Sequence, residues 1–304
     1  MFKNAVVFPG QGSQSVGMLS DVIGEFPIAR ETLAQADDSL GYSLSDLILN
    51  GPAEKLNSTN HTQPALVAVE VAMWRALNGK IDCDVMAGHS LGEYSALVCA
   101  GALDYSDALQ LTRKRGELMQ KAVPDGVGGM AAVLGMDDEL VEKICADCAH
   151  DQVVQAANYN SPGQLVVAGN KEAVERVVAA CKEAGARRAL ILPVSGPFHS
   201  ALMKPASQDF AEYLSGFTIN TPQVPVLQNA SNKFETDPDV IRANLIKQID
   251  HAVRWTDGVT QLAEKGVKNV FEVGPGKVLT GLNKRINKAL NCQAIQSVSA
   301  IEAL

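Results

Sequence analysis

The stretch that most constrains this chain is DVMAGHSLGEYSAL, Asp84 to Leu97. The short apolar run Asp84-Val85-Met86-Ala87 reads as a buried strand, and Gly92 to Leu103 carries the pattern of a helix. Between them Gly88-His89-Ser90-Leu91-Gly92 satisfies G-x-S-x-G. A serine held on so sharp a strand-to-helix turn needs side-chain-free residues two positions to either side, because the two backbones crowd there. Its hydroxyl then stands at a helix N-terminus, where N–H groups can stabilise a developing negative charge. The elbow therefore commits the chain to strand–turn–helix construction and makes Ser90 the candidate nucleophile.

The rest of the chain agrees with that construction, strand-like runs alternating with helical patterns as in a parallel sheet covered by helices. Asn4 to Phe8 opens with a strand, Leu33 to Leu49 has helical spacing, and a helix runs from Gln63-Pro64 to Leu77 before Asn78-Gly79. Leu109 to Lys121 is an amphipathic helix stopped by Pro124. From Gly126 to Val194 the texture changes. Strands at 130–134, 153–157, 165–168 and 189–194, with helices at 138–149 and 171–184, give a β-α-β-β-α-β order, that of a small ferredoxin-like unit. Helices near 204–214 and 240–249, a strand at 270–273 and a C-terminal helix complete the chain. The expected fold is an α/β-hydrolase-like large domain, residues 1–124 and 196–304, carrying an inserted ferredoxin-like domain at 125–195.

Composition narrows the partners. A net charge of −8 over 304 residues argues against nucleic acid or an anionic membrane surface. No apolar run approaches the length of a membrane span, and Met1-Phe2-Lys3-Asn4 enters a strand without a signal-peptide core. Six cysteines without a framework suit a reducing cytoplasm. Cys145-Ala146-Asp147-Cys148 has metal-like spacing with His150 nearby but lacks a second pair, so no metal is expected.

A serine nucleophile needs a base, and there are five histidines. His89 neighbours Ser90 and should point away from it; His61 and His150 sit at helix ends, and His251 follows Asp250 in a loop. His199 lies just past an apolar strand on the loop Ser195-Gly196-Pro197, at a C-terminal strand edge where α/β folds place their chemistry. It is the preferred base. No acid obviously supports it, and it falls well before the chain end, unlike the histidine of ordinary α/β-hydrolases. The opening turn in NAVVFPGQGSQSVGM raises a separate question. Its Gly10 and Gly12 begin a dinucleotide fingerprint, but Ser15 replaces the third glycine and no P-loop ending follows.

FPGQGSQSVGM, TQPAL, AGHSLGEYSALV, RGELMQ, NYNSPGQLVVAG, PVSGPFHSALM and EVGPGKVLTGL occur in this order over nearly the whole chain. Together they resemble the malonyl-CoA:acyl carrier protein transacylases of fatty-acid synthesis, and more distantly the acyltransferase domains of polyketide and large fatty-acid synthases. The resemblance implies that the opening turn holds a transient oxyanion, through the backbone N–H groups of Gln11 and Leu91. It implies that Arg115 binds the malonyl carboxylate through its guanidinium fork. It also implies that the main-chain carbonyl of Gln248 orients His199 in place of an acid, and that Asn160 and Phe198 line the site. A phenylalanine before the histidine favours malonyl over the bulkier methylmalonyl unit.

The reaction implied is transfer of malonyl from malonyl-CoA to the phosphopantetheine thiol of acyl carrier protein through a malonyl-Ser90 ester. Coenzyme A enters as the substrate thioester, no cofactor is needed, and a monomer is expected. Acyl carrier proteins are acidic, and Lys277, Lys284, Arg285 and Lys288 form a basic stretch that could dock one. Two rivals share the chemistry of Ser90. A serine esterase or thioesterase would have no use for Arg115, and a discrete acyltransferase of a polyketide or polyunsaturated-lipid pathway would differ only in its carrier.

Overall fold

A computed structural model describes residues 1–124, 126–194 and 196–304. Ten strands occur among the described residues: β1 Asn4–Phe8, β2 Val85–Gly88, β3 Gly128–Leu134, β4 Val154–Ser161, β5 Gln164–Asn170, β6 Arg188–Ile191, β7 Val226–Leu227, β8 Phe234–Glu235, β9 Asn269–Val273 and β10 Asn291–Ile295. They form two sheets, ordered β10-β9-β1-β2-β7-β8 and β4-β5-β3-β6. In the first, every pair from β10 to β7 is parallel, and β8 adds an antiparallel edge. Ladder pairs join β1 to both β2 and β9, so the strand before the opening turn lies beside the strand before the elbow.

Side-chain alternation along β1 assigns the two faces. Val6 and Phe8 join a core with the helices Pro27–Leu40, Thr59–Leu77 and Tyr105–Lys121. Ala5 and Val7 face a second core containing Trp255, Val259, Leu262 and Leu279. Both faces are covered, which is why β1 and β2 read as continuous apolar runs. The second sheet is wholly antiparallel, and its helices Asp138–Ala149 and Lys171–Glu183 close a third core around Val133, Val141, Val167 and Val177. That is the expected ferredoxin-like unit beside an α/β-hydrolase-like sheet. The expected domain limits at 125 and 195, and Ser195 of the histidine loop, lie outside the described residues.

Several elements differ from the sequence reading. The helical spacing from Leu33 to Leu49 belongs to two helices, Pro27–Leu40 and Leu44–Asn50. They are divided at Gly41, whose φ of 72° ends the first turn-by-turn, and Ser43 caps the second through a bond from Asp46 N. The run 189–194 is a strand only as Arg188–Ile191. The edge strands β8 and β10, the short inner strand β7 and the helix Trp255–Glu264 add to what was expected. Among the described residues no helix is long and apolar enough to cross a membrane.

Candidate active site

β2 ends at Gly88, and the helix Gly92–Cys99 begins four residues later. A Cβ on Gly88 would lie 1.9 Å from Gly92 C, and one on Gly92 would lie 2.2 Å from Phe8 O. No side chain fits at either position, which is the physical content of the motif. Ser90 between them has φ of 51°, a left-handed conformation that costs about 1–3 kcal/mol and needs its surroundings to hold it. They do. Ser90 N donates to Asn229 Oδ1 at 2.7 Å, and Ser90 O accepts from Gln248 Nε2 at 2.9 Å. Asn229 Nδ2 also donates to Gly88 O at 2.7 Å, so one amide bridges the elbow from Gly88 to Ser90.

His199 is brought to Ser90 across 109 residues, its Nε2 lying 2.7 Å from Ser90 Oγ. Its Nδ1 lies 2.8 Å from the Gln248 carbonyl oxygen. A carbonyl only accepts, so Nδ1 carries the proton and Nε2 offers its lone pair to the serine hydroxyl. His199 also adopts a left-handed backbone, φ of 60°, the second such residue at the site. Burial, with the nearby Arg115 charge, pushes its pKa down to about 3. The imidazole is therefore neutral at ordinary pH, with its Nε2 lone pair directed at the serine hydroxyl.

Arg115 comes from the helix Tyr105–Lys121 and is 1% exposed. Its Nη1 donates to Gln63 Oε1 at 2.9 Å; its Nη2 donates to Gln248 Oε1 at 2.8 Å and to Ser90 Oγ at 3.1 Å. The guanidinium lies over the Tyr94 ring, 5.7 Å from its centroid. Its Nε has no partner, and no ion pair to it forms among the described residues. The buried Glu93 carboxyl acts on Arg115 without forming a salt bridge, so the guanidinium keeps the capacity to pair with an anion beside Ser90.

Ser90, His199 and Arg115 open on a cavity of about 300 Å³. Met119, Met130, Val166, Leu192, Val194 and Phe198 supply its apolar walls. Gln11 and Leu91 line the same cavity, and among the described residues neither backbone N–H donates to a protein acceptor. Two free amides lining the cavity that holds Ser90 have the chemistry to receive an oxyanion. No acid bonds His199 among the described residues; the buried acid of the site is Glu93, whose Oε2 accepts from Gln248 Nε2 at 2.9 Å and Asn229 N at 2.8 Å. Burial, opposed by those two bonds and by Arg115, pushes its pKa up to about 7.

Asn160 lies at the end of β4 and lines the cavity; its Oδ1 is 2.8 Å from His89 Nε2, so His89 turns away from Ser90 as expected. Phe198 is buried against the cavity. His251 pairs with Asp250 at 2.6 Å. Lys277, Lys284, Arg285 and Lys288 are exposed on or beside the helix Val278–Ile286, outside the cavity, and Arg285 Nη1 donates to Gln164 Oε1 at 2.7 Å. Gln63 and Asn229 also escaped the sequence reading. A polar residue inside the otherwise apolar stretch around Gln63-Pro64-Ala65-Leu66 was the one available signal.

The model of the acyl transferase domain family matches residues 5–301. The malonyl CoA-acyl carrier protein transacylase of Escherichia coli K12 is 54% identical over 306 residues, covering 100% of this chain and 99% of that protein. An acyl carrier protein S-malonyltransferase from Vibrio cholerae, solved by crystallography, superposes with a TM-score of 0.97 at 52% identity, covering 99% of each chain. A malonyl-transacylase solved in complex with a holo type II polyketide-synthase acyl carrier protein superposes with a TM-score of 0.97 at 49% identity, covering 99% of this chain and 98% of that one.

Proposed function

The chain belongs to the acyl transferase family, and on that premise we propose that it transfers malonyl from malonyl-CoA to the phosphopantetheine thiol of acyl carrier protein, serving fatty-acid synthesis. The observation that carries the choice of acyl group is Arg115, a buried guanidinium 3.1 Å from Ser90 Oγ that forms no salt bridge among the described residues. A malonyl thioester presents a carboxylate at about that remove from its reacting carbonyl, and an acetyl thioester presents none.

In the first half-reaction Ser90 Oγ attacks the thioester carbonyl while its proton passes to His199 Nε2. The Gln11 and Leu91 amides hold the oxyanion; such donors are worth about 3–4 kcal/mol each when water is excluded. The C–S bond breaks, the proton moves from His199 to the departing thiolate, and malonyl-Ser90 remains with its carboxylate on Arg115. In the second half-reaction the carrier thiol gives its proton to His199 and attacks the ester, and Ser90 recovers the proton as it leaves. A backbone carbonyl behind His199 stabilises imidazolium less than a carboxylate would, which suffices for a thioester, more reactive than an amide. The exposed cations Lys277, Lys284, Arg285 and Lys288 form the docking face for an acidic carrier. One chain supplies every residue of the site, which suits a monomer, and six free cysteines suit the cytoplasm.

The test is transfer in a single turnover. Enzyme, malonyl-CoA and holo acyl carrier protein should give malonyl-carrier detected by mass, with apo carrier unreactive. Release of free malonate as the main product, with holo carrier unchanged, would replace the transferase reading with a hydrolase.

A further inference from the structure

Ser90, His199 and Arg115 stand on three separate segments, and hydrogen bonds from two other residues hold them together. Asn229 binds Ser90 N and Gly88 O. Gln248 binds Ser90 O through Nε2, Arg115 through Oε1 and His199 through its main-chain oxygen. Both converge on one atom, Glu93 Oε2, which accepts from Asn229 N and from Gln248 Nε2. Glu93 is wholly buried, and its second oxygen, Oε1, has no partner among the described residues.

Gln248 must be oriented, because an amide can sit either way round. In the observed orientation its nitrogen faces two acceptors, Ser90 O and Glu93 Oε2, and its oxygen faces the Arg115 donor. Reversed, it would set oxygen against oxygen on one side and nitrogen against guanidinium on the other. We infer that Glu93 is the positioning residue that registers nucleophile, base and carboxylate-binding arginine with one another, acting as a hydrogen-bond acceptor at Oε2. The inference deepens the acyl-transfer reading and rests on it for the roles of the three residues. Glu93 touches none of the reacting atoms itself.

The acceptor role needs Oε2 alone, and Oε1 is free to become an amide nitrogen. Glu93→Gln therefore keeps both bonds, and Glu93→Ala removes them. The first probe is a serine-directed fluorophosphonate, whose rate reports Ser90 and His199 without any malonyl group; the second is malonyl-CoA, read as kcat and KM separately. Glu93→Gln should stay within about threefold of the parent on both probes, a change of less than one hydrogen bond. Glu93→Ala, folded by circular dichroism, should slow the fluorophosphonate by roughly 30-fold or more and also raise KM for malonyl-CoA as Arg115 loses its register. If it fails to fold, Glu93→Asp, an acid one methylene short, carries the same expectation. Equal loss in Glu93→Gln and Glu93→Ala, or a folded Glu93→Ala or Glu93→Asp at parental rate, overturns the inference. A parent that reacts with the fluorophosphonate but takes no malonyl would sink the malonyl reading and leave the Glu93 comparison standing.

Discussion

Replacing Arg115 by alanine tests the selectivity argument at its root. The side chain gives three hydrogen bonds, two to glutamine oxygens and one to Ser90 Oγ. A carboxylate and a guanidinium about 4 Å apart attract by about 4 kcal/mol at an effective dielectric of 20. Removing one partner of a buried charge pair costs about 3–5 kcal/mol. At 1.4 kcal/mol per decade, that is roughly 10² to 10⁴ in malonyl transfer. The lost bond to Ser90 Oγ will also alter the nucleophile, so malonyl loss by itself does not isolate the carboxylate. Acetyl-CoA supplies the control, since it shares the thioester and lacks the carboxylate. Pre-steady-state acylation should be followed by intact-protein mass with both donors, in parent and Arg115→Ala. The ratio of malonyl to acetyl rates should fall by roughly 10² to 10⁴. A ratio within about tenfold of the parent's, with both rates depressed together, would refute the carboxylate role and reduce Arg115 to a support for Ser90.

Three further outcomes follow from the same geometry. His199 is held near 3 against an ordinary 6.5, so the unfolded chain binds the extra proton between those values and stability falls as pH drops through that window, by up to about 1.4 kcal/mol per pH unit. Glu93, raised from 4.5 to about 7, acts oppositely between those values, so its contribution falls as pH rises. Urea unfolding of His199→Gln should therefore show a shallower loss than the parent below pH 4.5, where the histidine acts without that opposition; identical acid slopes would contradict the buried neutral imidazole. Gly92→Ala, whose Cβ would meet Phe8 O at 2.2 Å, should abolish acylation and lower the thermal midpoint, and a fully active variant would mean the elbow relaxes. Lys284→Glu with Arg285→Glu and Lys288→Glu should raise KM for the carrier while sparing acylation from malonyl-CoA. Equal effects on both half-reactions would remove the docking assignment.

What the sequence revealed and what it hid divide along a physical line. The elbow was legible because its crowding demands glycine at 88 and 92, a local requirement with a local signature. The β-α-β-β-α-β unit was legible because its amphipathic helices and apolar strands are each long enough to show a period. β7 and β8, two residues each, have no period, and β10 reads Asn-Cys-Gln-Ala-Ile on a sheet edge, too polar to announce a strand. The Leu33 to Leu49 pattern misled because two helices in succession bury one face each and their stripes run on across Gly41.

The site was half legible for a related reason. Ser90 and His199 are residue types that chemistry singles out. Gln248 acts on His199 through a backbone carbonyl, which any residue possesses, so only the likeness to a family pointed to it. Glu93 was visible as an acid in the apolar stretch Gly92 to Cys99, yet its partners lie 136 and 155 residues away, and no spacing rule connects them. The same holds for Gln63, which meets Arg115 across 52 residues.

The central claim is that Ser90 carries the malonyl group between two thiols. The direct measurement is intact-protein mass after brief mixing with malonyl-CoA, followed by peptide mapping and then by addition of holo acyl carrier protein. A single malonyl ester is expected, mapped to Ser90, absent from Ser90→Ala and discharged onto the carrier. A malonyl adduct that persists in Ser90→Ala, or turnover to malonyl-carrier without any enzyme-bound ester, would contradict it.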